Sequence, residues 1–335
     1  MPEYTARLLA SANKTGIYAS ETIYGQGLLD IEAALKPIGD LEVPLPSGGT
    51  ARPSESRIDG GLIPPDVLDR LRKEDIILLD KLNTPFTTDL ALAPQQFADF
   101  DLIEWLTHGQ DKTSPSTHPF LAGFNQTGKG REIGNFWQIV PIALRRSGVG
   151  QDLPPLGSIG FAATVRRRRG RFEFGWVGEM DGLMNSIGDG ALKLGPSQSA
   201  LVSVGKDFAF GEKLFISTDA HFTFSHLSPQ SDSLIRGTKH ALASAFDVKI
   251  GYRDFNLTVS QPTYFESGKL KISRPHKRQA DGSVVFRDDE VSLRSTSRPL
   301  LLSLVHERGL SRLGLKVEKH AEQEAQIGFA WEQKF

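Results

Sequence analysis

The chain has no cysteine and eight histidines, which excludes disulfides, thiolate metal sites and cysteine nucleophiles. One set of residues stands in the order Asp, His, Ser: Asp59 in Ile58-Asp59-Gly60-Gly61, His108 before Gly109, and Ser114. A hydroxyl nucleophile needs an imidazole to take its proton and a carboxylate to orient the imidazole, but Asp59 and His108 read more simply as solvated loop residues. His221 and His226 lie five apart on an apparent strand, so they fall on opposite faces and make a poor metal pair. Asp288, Asp289 and Glu290 lack the glycine and the alternating oxygens of a calcium loop and read as strand-end charges. Arg166 to Arg169 could bind phosphate or lipopolysaccharide. Four arginines at a hairpin tip, two per face, read instead as a solvated turn. Pro275-His276-Lys277-Arg278 reads as a basic loop before Asp281-Gly282. No catalytic, cofactor-binding or metal-binding set is assigned, and no cofactor is expected.

The elements that would position any site divide the chain unevenly. With 335 residues, 39% hydrophobic and 24% charged, it is long enough for about two domains and is not dominantly disordered. A net charge of -1 removes the broad basic surface that nucleic-acid binding needs. No apolar run is long enough for a membrane-spanning helix, and no export signal is visible at the start. Residues 1–39 read as helix, loop, helix. Tyr4, Leu8, Leu9 and Ala12 form one stripe, and Leu28, Ile31, Ala34 and Leu35 form the second before Pro37 and Gly39. Two such short helices bury too little surface to stand alone, so a larger body should cover them. Residues 40–62, rich in proline and glycine, read as an exposed connector at a domain boundary. Between Pro64 and Asn83 the pattern begins as a helix, while Ile76 to Leu79 fits either a helix or a short buried strand. Pro85 to Ala93 reads as a strand, and Pro94 with Phe97, Phe100, Ile103 and Leu106 as a helix.

From about residue 134 the period becomes two. Ile216, Thr218, Ala220, Phe222 and Phe224 oppose Ser217, Asp219, His221 and Thr223. Leu242 to Tyr252, Phe255 to Val259, Leu313 to Val317 and Phe172 to Trp176 alternate in the same way. Turns are expected at Arg169-Gly170, Arg253-Asp254, Ser267-Gly268, Asp281-Gly282 and Arg308-Gly309. The fold class is therefore mainly β, with about 12 antiparallel strands between residues 118 and 335, as a meander or a β-barrel. A soluble sandwich would turn the apolar face inward, and an outer-membrane barrel would turn it toward lipid around an aqueous or side-chain-filled lumen. Alternation alone does not separate the two. The last strand favours the barrel: Ile327, Phe329, Trp331 and the terminal Phe335 share one parity, broken by Gln333.

Tyr24-Gly25-Gln26-Gly27-Leu28-Leu29-Asp30-Ile31-Glu32-Ala33-Ala34-Leu35 resembles the closing segment of subtilisin-like serine peptidases, with Tyr24, Gly25, Gly27, Asp30 and Ala33 carrying the motif. Leu8 to Asn13 stands where the preceding helix of that segment would be. The second half is similar to the C-terminal barrel of subtilase autotransporters, through Gly175-Trp176-Val177-Gly178-Glu179, Asn185 to Gly188, Leu257 to Pro262 leading to Glu266-Ser267-Gly268, and the ending at Phe335. The resemblance implies a helical remnant of an α/β peptidase domain at 1–39, a connecting region at 40–117 and an autotransporter-like barrel at 118–335. It implies a serine endopeptidase whose catalytic triad lies outside this chain. The Gly-Thr-Ser-x-Ala nucleophile segment does not occur, and Gly237-Thr238-Lys239-His240-Ala241 has lysine in its place. Asp59, His108 and Ser114 follow the peptidase tail instead of preceding it.

The chain alone is expected to be inactive. The implied partners are outer-membrane lipid and the barrel-assembly machinery, with a protein substrate for the longer parent and no nucleic acid. The implied location is the outer membrane or cell surface of a Gram-negative bacterium, given a signal peptide upstream. A soluble β-rich interaction domain appended to a decayed protease is the alternative.

Overall fold

The computed structural model describes residues 3–59, 63, 65–73, 75–89, 131–133, 137–144, 158–167, 169–184, 186–211, 213–294, 298, 300–308, 311–319 and 326–333. The expected helix at 94–106 lies outside the described residues.

The amino end forms α1 (Glu3–Ser11), α2 (Glu21–Tyr24) and α3 (Ile31–Ala34). The second expected helix is shorter than its apolar spacing suggests. Leu28 instead closes an antiparallel bridge with Asn13, through backbone bonds of 2.8 and 3.0 Å. Asp30 then caps α3 by accepting from the Ala33 amide at 2.9 Å. Gly27 has φ +95°, and a Cβ there would sit 2.5 Å from the Asn13 carbonyl oxygen, so the close approach requires glycine.

Most of the large apolar side chains of the amino end are exposed, although Ala34 is buried. Tyr4 is 81% exposed and Leu35 75%, and Leu8, Ile17, Ile23, Leu28, Leu29 and Ile31 are exposed with them. In α1 the buried side chain is Arg7. Its Nη1 donates to Asp80 Oδ2 at 2.6 Å, its Nε to the Ala34 carbonyl and its Nη2 to the Lys36 carbonyl, each at 2.5 Å.

Residues 40–62 were expected to be solvated, and the burial corrects this. β1 (Val43–Pro44) pairs with β2 (Thr50–Ala51), and β3 (Arg57–Asp59) follows. Val43, Leu45, Ser56 and Ile58 are buried. The turn-forming composition was legible, but the few apolar residues between the turns find partners distant in sequence. α4 (Pro65–Arg72) leads to β4 (Asp75–Leu79), which pairs with β5 (Pro85–Asp89). Ile76 to Leu79 is thus a strand, buried along its length.

The other described residues form mainly antiparallel sheet. β6 (Arg131–Ile133), β7 (Trp137–Leu144), β8 (Ser158–Arg167) and β9 (Gly170–Glu179) form its first part. β10 (Ile187–Asp189) leaves it to pair with β3. β11 (Ser197–Phe210), β12 (Leu214–Leu227), β13 (Ile235–Tyr252) and β14 (Phe255–Arg278) are longer. β15 (Val284–Ser292), β16 (Leu300–Arg308), β17 (Ser311–Lys319) and β18 (Gln326–Gln333) complete it. The 12-stranded sheet has the order β18-β17-β16-β14-β13-β12-β11-β9-β8-β7-β6, with β15 beside β14. Among the described residues no ladder joins its two ends.

Strand β14 serves two neighbours. Its first part, Phe255 to Ser260, pairs with β16, and its second, Lys269 to Arg278, pairs with β15. Ser267-Gly268 is therefore not a turn. It lies inside β14, where the β13–β14 register shifts, and Gly268 has φ +137° with the Ala241 Cα 2.8 Å from any added Cβ. Pro275 to Arg278 is strand rather than loop, for the same reason. Asp288 to Glu290 are mid-strand rather than at a strand end: Asp289 meets Arg274 at 2.5 Å, and Glu290 meets Lys269 at 2.5 Å and Lys239 at 3.7 Å. The hydrogen bond from Lys269 holds the Glu290 carboxyl below its ordinary range.

The two ends of the sheet differ. Hairpins join Arg167 to Gly170, Phe210 to Leu214, Tyr252 to Phe255 and Arg308 to Ser311 tightly at one end. Longer connections run from Glu179 to Ser197, Leu227 to Ile235 and Ser292 to Leu300 at the other, where the short Arg278 to Val284 hairpin also lies. Those longer connections carry the apolar core. Leu183, Met184, Leu192, Leu194, Leu234 and Leu293 pack with Val43, Ile58, Leu68 and Ile76, and with Phe265 and Leu270 of β14. The described residues between 41 and 79 thus form a cap on the long-connection end.

Candidate membrane-facing wall and buried polar face

Along the described strands one side is apolar and exposed, the other mixes polar and apolar buried residues, and the register stacks the apolar residues of the exposed side together. Phe224 stands opposite Ala200 and Leu242, Ala200 opposite Trp176, and Trp176 opposite Phe161. Leu304 stands between Leu257 and Leu315, and Leu315 opposite Phe329. Cross-strand pairs of this kind build a continuous apolar wall.

Burial then inverts the soluble expectation. On the apolar side Ile159 is 69% exposed, Phe224 53% and Ile327 72%, with Phe161, Phe172, Val204, Phe222, Leu302, Leu304, Leu313, Leu315 and Phe329 also exposed. On the polar side His221 and Thr223 are each 1% exposed and Ser203 2%, with Thr164, Glu173, Ser199 and Ser303 buried beside them. A protein folding in water alone places these faces the other way round, because burying apolar area contributes about 25 cal/mol per Å² while burying polar groups costs free energy. Contiguous exposed apolar surface on this scale marks a contact with another apolar phase or partner.

Several of the buried polar side chains pair with one another. Ser199 and Ser225 share a hydrogen bond of 2.7 Å, Thr164 donates to Glu173 Oε2 at 3.3 Å, and Arg171 pairs with Asp219. Glu179 accepts from the Met184 amide at 2.8 Å and from Ser197 Oγ at 3.2 Å. This follows the rule that buried polar groups find partners.

One group has the composition of a hydrolytic triad. Ser203 Oγ lies 2.8 Å from His221 Nδ1, and His221 Nε2 lies 3.5 Å from Asp247 Oδ2. Three adjacent strands supply it, a juxtaposition that sequence spacing does not reveal. The geometry does not support acyl transfer. Ser203 is buried, and the backbone at Ser203 and His221 is committed to the sheet ladders, so neither of these amides is free to hold an oxyanion. The set is a polar cluster on the buried face of the sheet.

The remaining sequence candidates are dispersed. Tyr24 ends α2 and meets Tyr18 edge-on with ring centroids 5.4 Å apart; Gly25 and Gly27 have positive φ; Asp30 and Ala33 form the α3 cap. Ile327 and Phe329 lie on the exposed apolar wall, Trp331 is in register with Leu313, and Phe335 lies outside the described residues. Asp59 sits in β3 opposite Ile187, whereas His108 and Ser114 lie outside the described residues. His221 is buried on the polar face and His226 exposed on the other. Arg166 and Arg169 are exposed at the β8–β9 hairpin.

Sequence reasoning missed the Arg7–Asp80 lock. Asp80 accepts from the amides of Ile38 at 3.0 Å, Leu82 at 3.0 Å and Thr84 at 2.9 Å as well as from Arg7. Burial opposes its charge, but the Ile38 amide, Arg7 and the Thr84 and Leu82 amides outweigh it and hold the carboxyl below its ordinary value. An Asp with two residues to Asn83 fits an Asx-type turn, but nothing in the sequence pairs it with Arg7. No described helix is long and apolar enough to cross a membrane. Comparison with family models, with curated proteins and with solved structures gives no match for this chain.

Proposed function

We propose that this chain is the C-terminal part of a subtilisin-like serine endopeptidase of the autotransporter type, carrying an outer-membrane translocator or anchor barrel and no catalytic triad of its own. The observation that carries the reading is the inverted burial: Phe224, Ile327 and Phe329 face outward while His221, Thr223 and Ser203 are buried. Outer-membrane barrels have this arrangement, with an apolar outer band and a polar interior. In hydrocarbon every backbone polar group must be satisfied within the protein, and closing the sheet would meet that requirement.

Two further observations support it. Tight hairpins at one end and longer connections at the other match the short periplasmic turns and long external loops of such barrels. The cap of residues 41–79 packs on the long-connection end, the side from which an exported passenger would extend. On this reading the exposed apolar residues of α1 to α3 are the contact surface for the body of a peptidase domain, and Tyr24 to Leu35 form its closing segment. The partners are outer-membrane lipid and the assembly machinery that inserts barrels, and a protein substrate belongs to the longer parent. The location is the outer membrane of a Gram-negative bacterium.

Fractionation tests the membrane half of this reading. The chain should sediment with outer membranes, resist carbonate and urea extraction and run faster on unheated gels than on heated ones. Release by carbonate or urea would favour a soluble β-domain and refute the barrel. Peptidase activity from the purified chain alone would refute the assignment of the triad to another part of the parent.

A further inference from the structure

The apolar wall is notched near its upper boundary, at the long-connection end. A cavity of about 600 Å³ opens there, lined by Trp176, Ala200, Phe224 and Leu242 in one row and by Gln198, His226 and His240 in the next. This volume is in the range of a small-molecule site. The two rows follow from the register: Trp176, Ala200, Phe224 and Leu242 stand side by side across β9, β11, β12 and β13, and the polar row lies one strand step nearer the long connections.

We propose that this notch binds the headgroup and upper acyl segment of one anionic, phosphate-bearing lipid of the facing leaflet. The inference rests on the membrane-barrel reading. Its first support is the layering of the notch lining on β11 to β13, where Ala200, Phe224 and Leu242 give way to Gln198, His226 and His240, as hydrocarbon gives way to headgroup along an amphiphile. Its second is that Gln198, His226 and His240 have no side-chain hydrogen bond or ion pair to any described residue. Three polar side chains are thereby left for a ligand. Its third is backbone conformation. His240 has φ +51° within the β13–β14 register shift between Lys239 and Leu242. Such irregularities re-aim side chains and occur at binding sites. Lys239 adjoins the lining residue His240 in sequence and Lys269 lies two residues beyond Ser267; the two share the carboxylate of Glu290, while Glu266, next to Ser267, pairs with Arg298, so three cations stand against two carboxylates.

Native mass spectrometry of the detergent-solubilised full chain, titrated with dioleoylphosphatidylglycerol, tests the proposal. The wild type should retain one lipid. The double variant His226→Leu/His240→Leu should lose affinity at least tenfold, and Ala200→Trp, which fills the notch, should abolish retention. Dioleoylphosphatidylcholine should be retained at least tenfold more weakly, and glycerol 3-phosphate, which lacks acyl chains, should not bind. Equal retention by the wild type and both variants, or equal retention of the two phospholipids, would overturn the proposal. Gel mobility without heating is measured on the same samples. A heat-modifiable barrel with unchanged lipid binding refutes the notch alone, whereas loss of heat-modifiability in the wild type refutes the barrel reading itself.

Discussion

Replacing Arg7 by alanine should detach the amino-terminal helices from the cap while leaving the sheet intact. The α1–α3 unit buries little else: among its apolar side chains Ala34 is buried and most of the larger ones are exposed. Arg7 ties it to the rest through the ion pair with Asp80 and a contact over the Phe86 ring at 5.1 Å, while its bonds to the Ala34 and Lys36 carbonyls hold α1 against the α3 end. Removing one partner of a buried ion pair costs about 3–5 kcal/mol. Asp80 keeps its three backbone donors, which places the expected loss near the lower end, about 3 kcal/mol. At 1.36 kcal/mol per decade this raises the local opening equilibrium about a hundredfold. Hydrogen exchange with mass spectrometric detection should show that acceleration in peptides from residues 3–36, with protection in β11 to β14 unchanged. Arg7→Lys should fall between, because an ammonium cannot reproduce the fork that reaches two carbonyls and a carboxylate. Unchanged exchange at 3–36 in Arg7→Ala would refute the argument that this one side chain holds the unit.

Acid should act on the same lock. The Asp80 carboxyl is held below its ordinary value of 3.8, so its stabilisation is complete above that pH and is lost as pH falls through the lower folded value; pepsin cleavage within 3–36 should rise there, and Asp80→Asn should be open already at neutral pH. Phe222→Arg, on the exposed apolar wall, should lower the stability of the lipid-reconstituted protein by about 2–4 kcal/mol in a urea titration. The same exposed substitution on a soluble sheet would stay within about 0.5 kcal/mol. Gly27→Ala combines a positive φ with a clash at the Asn13 carbonyl and should cost more than about 1 kcal/mol, read as faster exchange of the Asn13 and Leu28 amides.

The period-two segments were legible because strand geometry imposes alternation whatever surrounds the strand. Ile216 to Phe224 and Leu313 to Val317 could be assigned to strands and sorted into two faces from residue types alone. The open choice at Ile76 to Leu79 was different: four apolar residues in a row carry no period, and only pairing with Pro85 to Asp89 decides for a strand. Ser267-Gly268 misled because the composition that ends a strand also accommodates an irregularity within one. Residues 40–62 misled because their solvated appearance is a property of their turns, whereas Val43 and Ile58 are buried by residues far along the chain.

The sequence by itself determined that the second half is antiparallel strand with one apolar and one polar side, and that the amino-terminal helices carry more apolar surface than they can cover between them. Both are local properties, set by side-chain type and backbone period. Which side of the sheet is buried was decided only by the tertiary structure, since alternation is symmetric and has no inside until the strands are assembled. The same holds for Arg7 meeting Asp80, for Ser203, His221 and Asp247 converging from three strands, and for the notch beneath His226 and His240. Each depends on registers between residues distant in the chain, and neighbouring residues do not encode those registers.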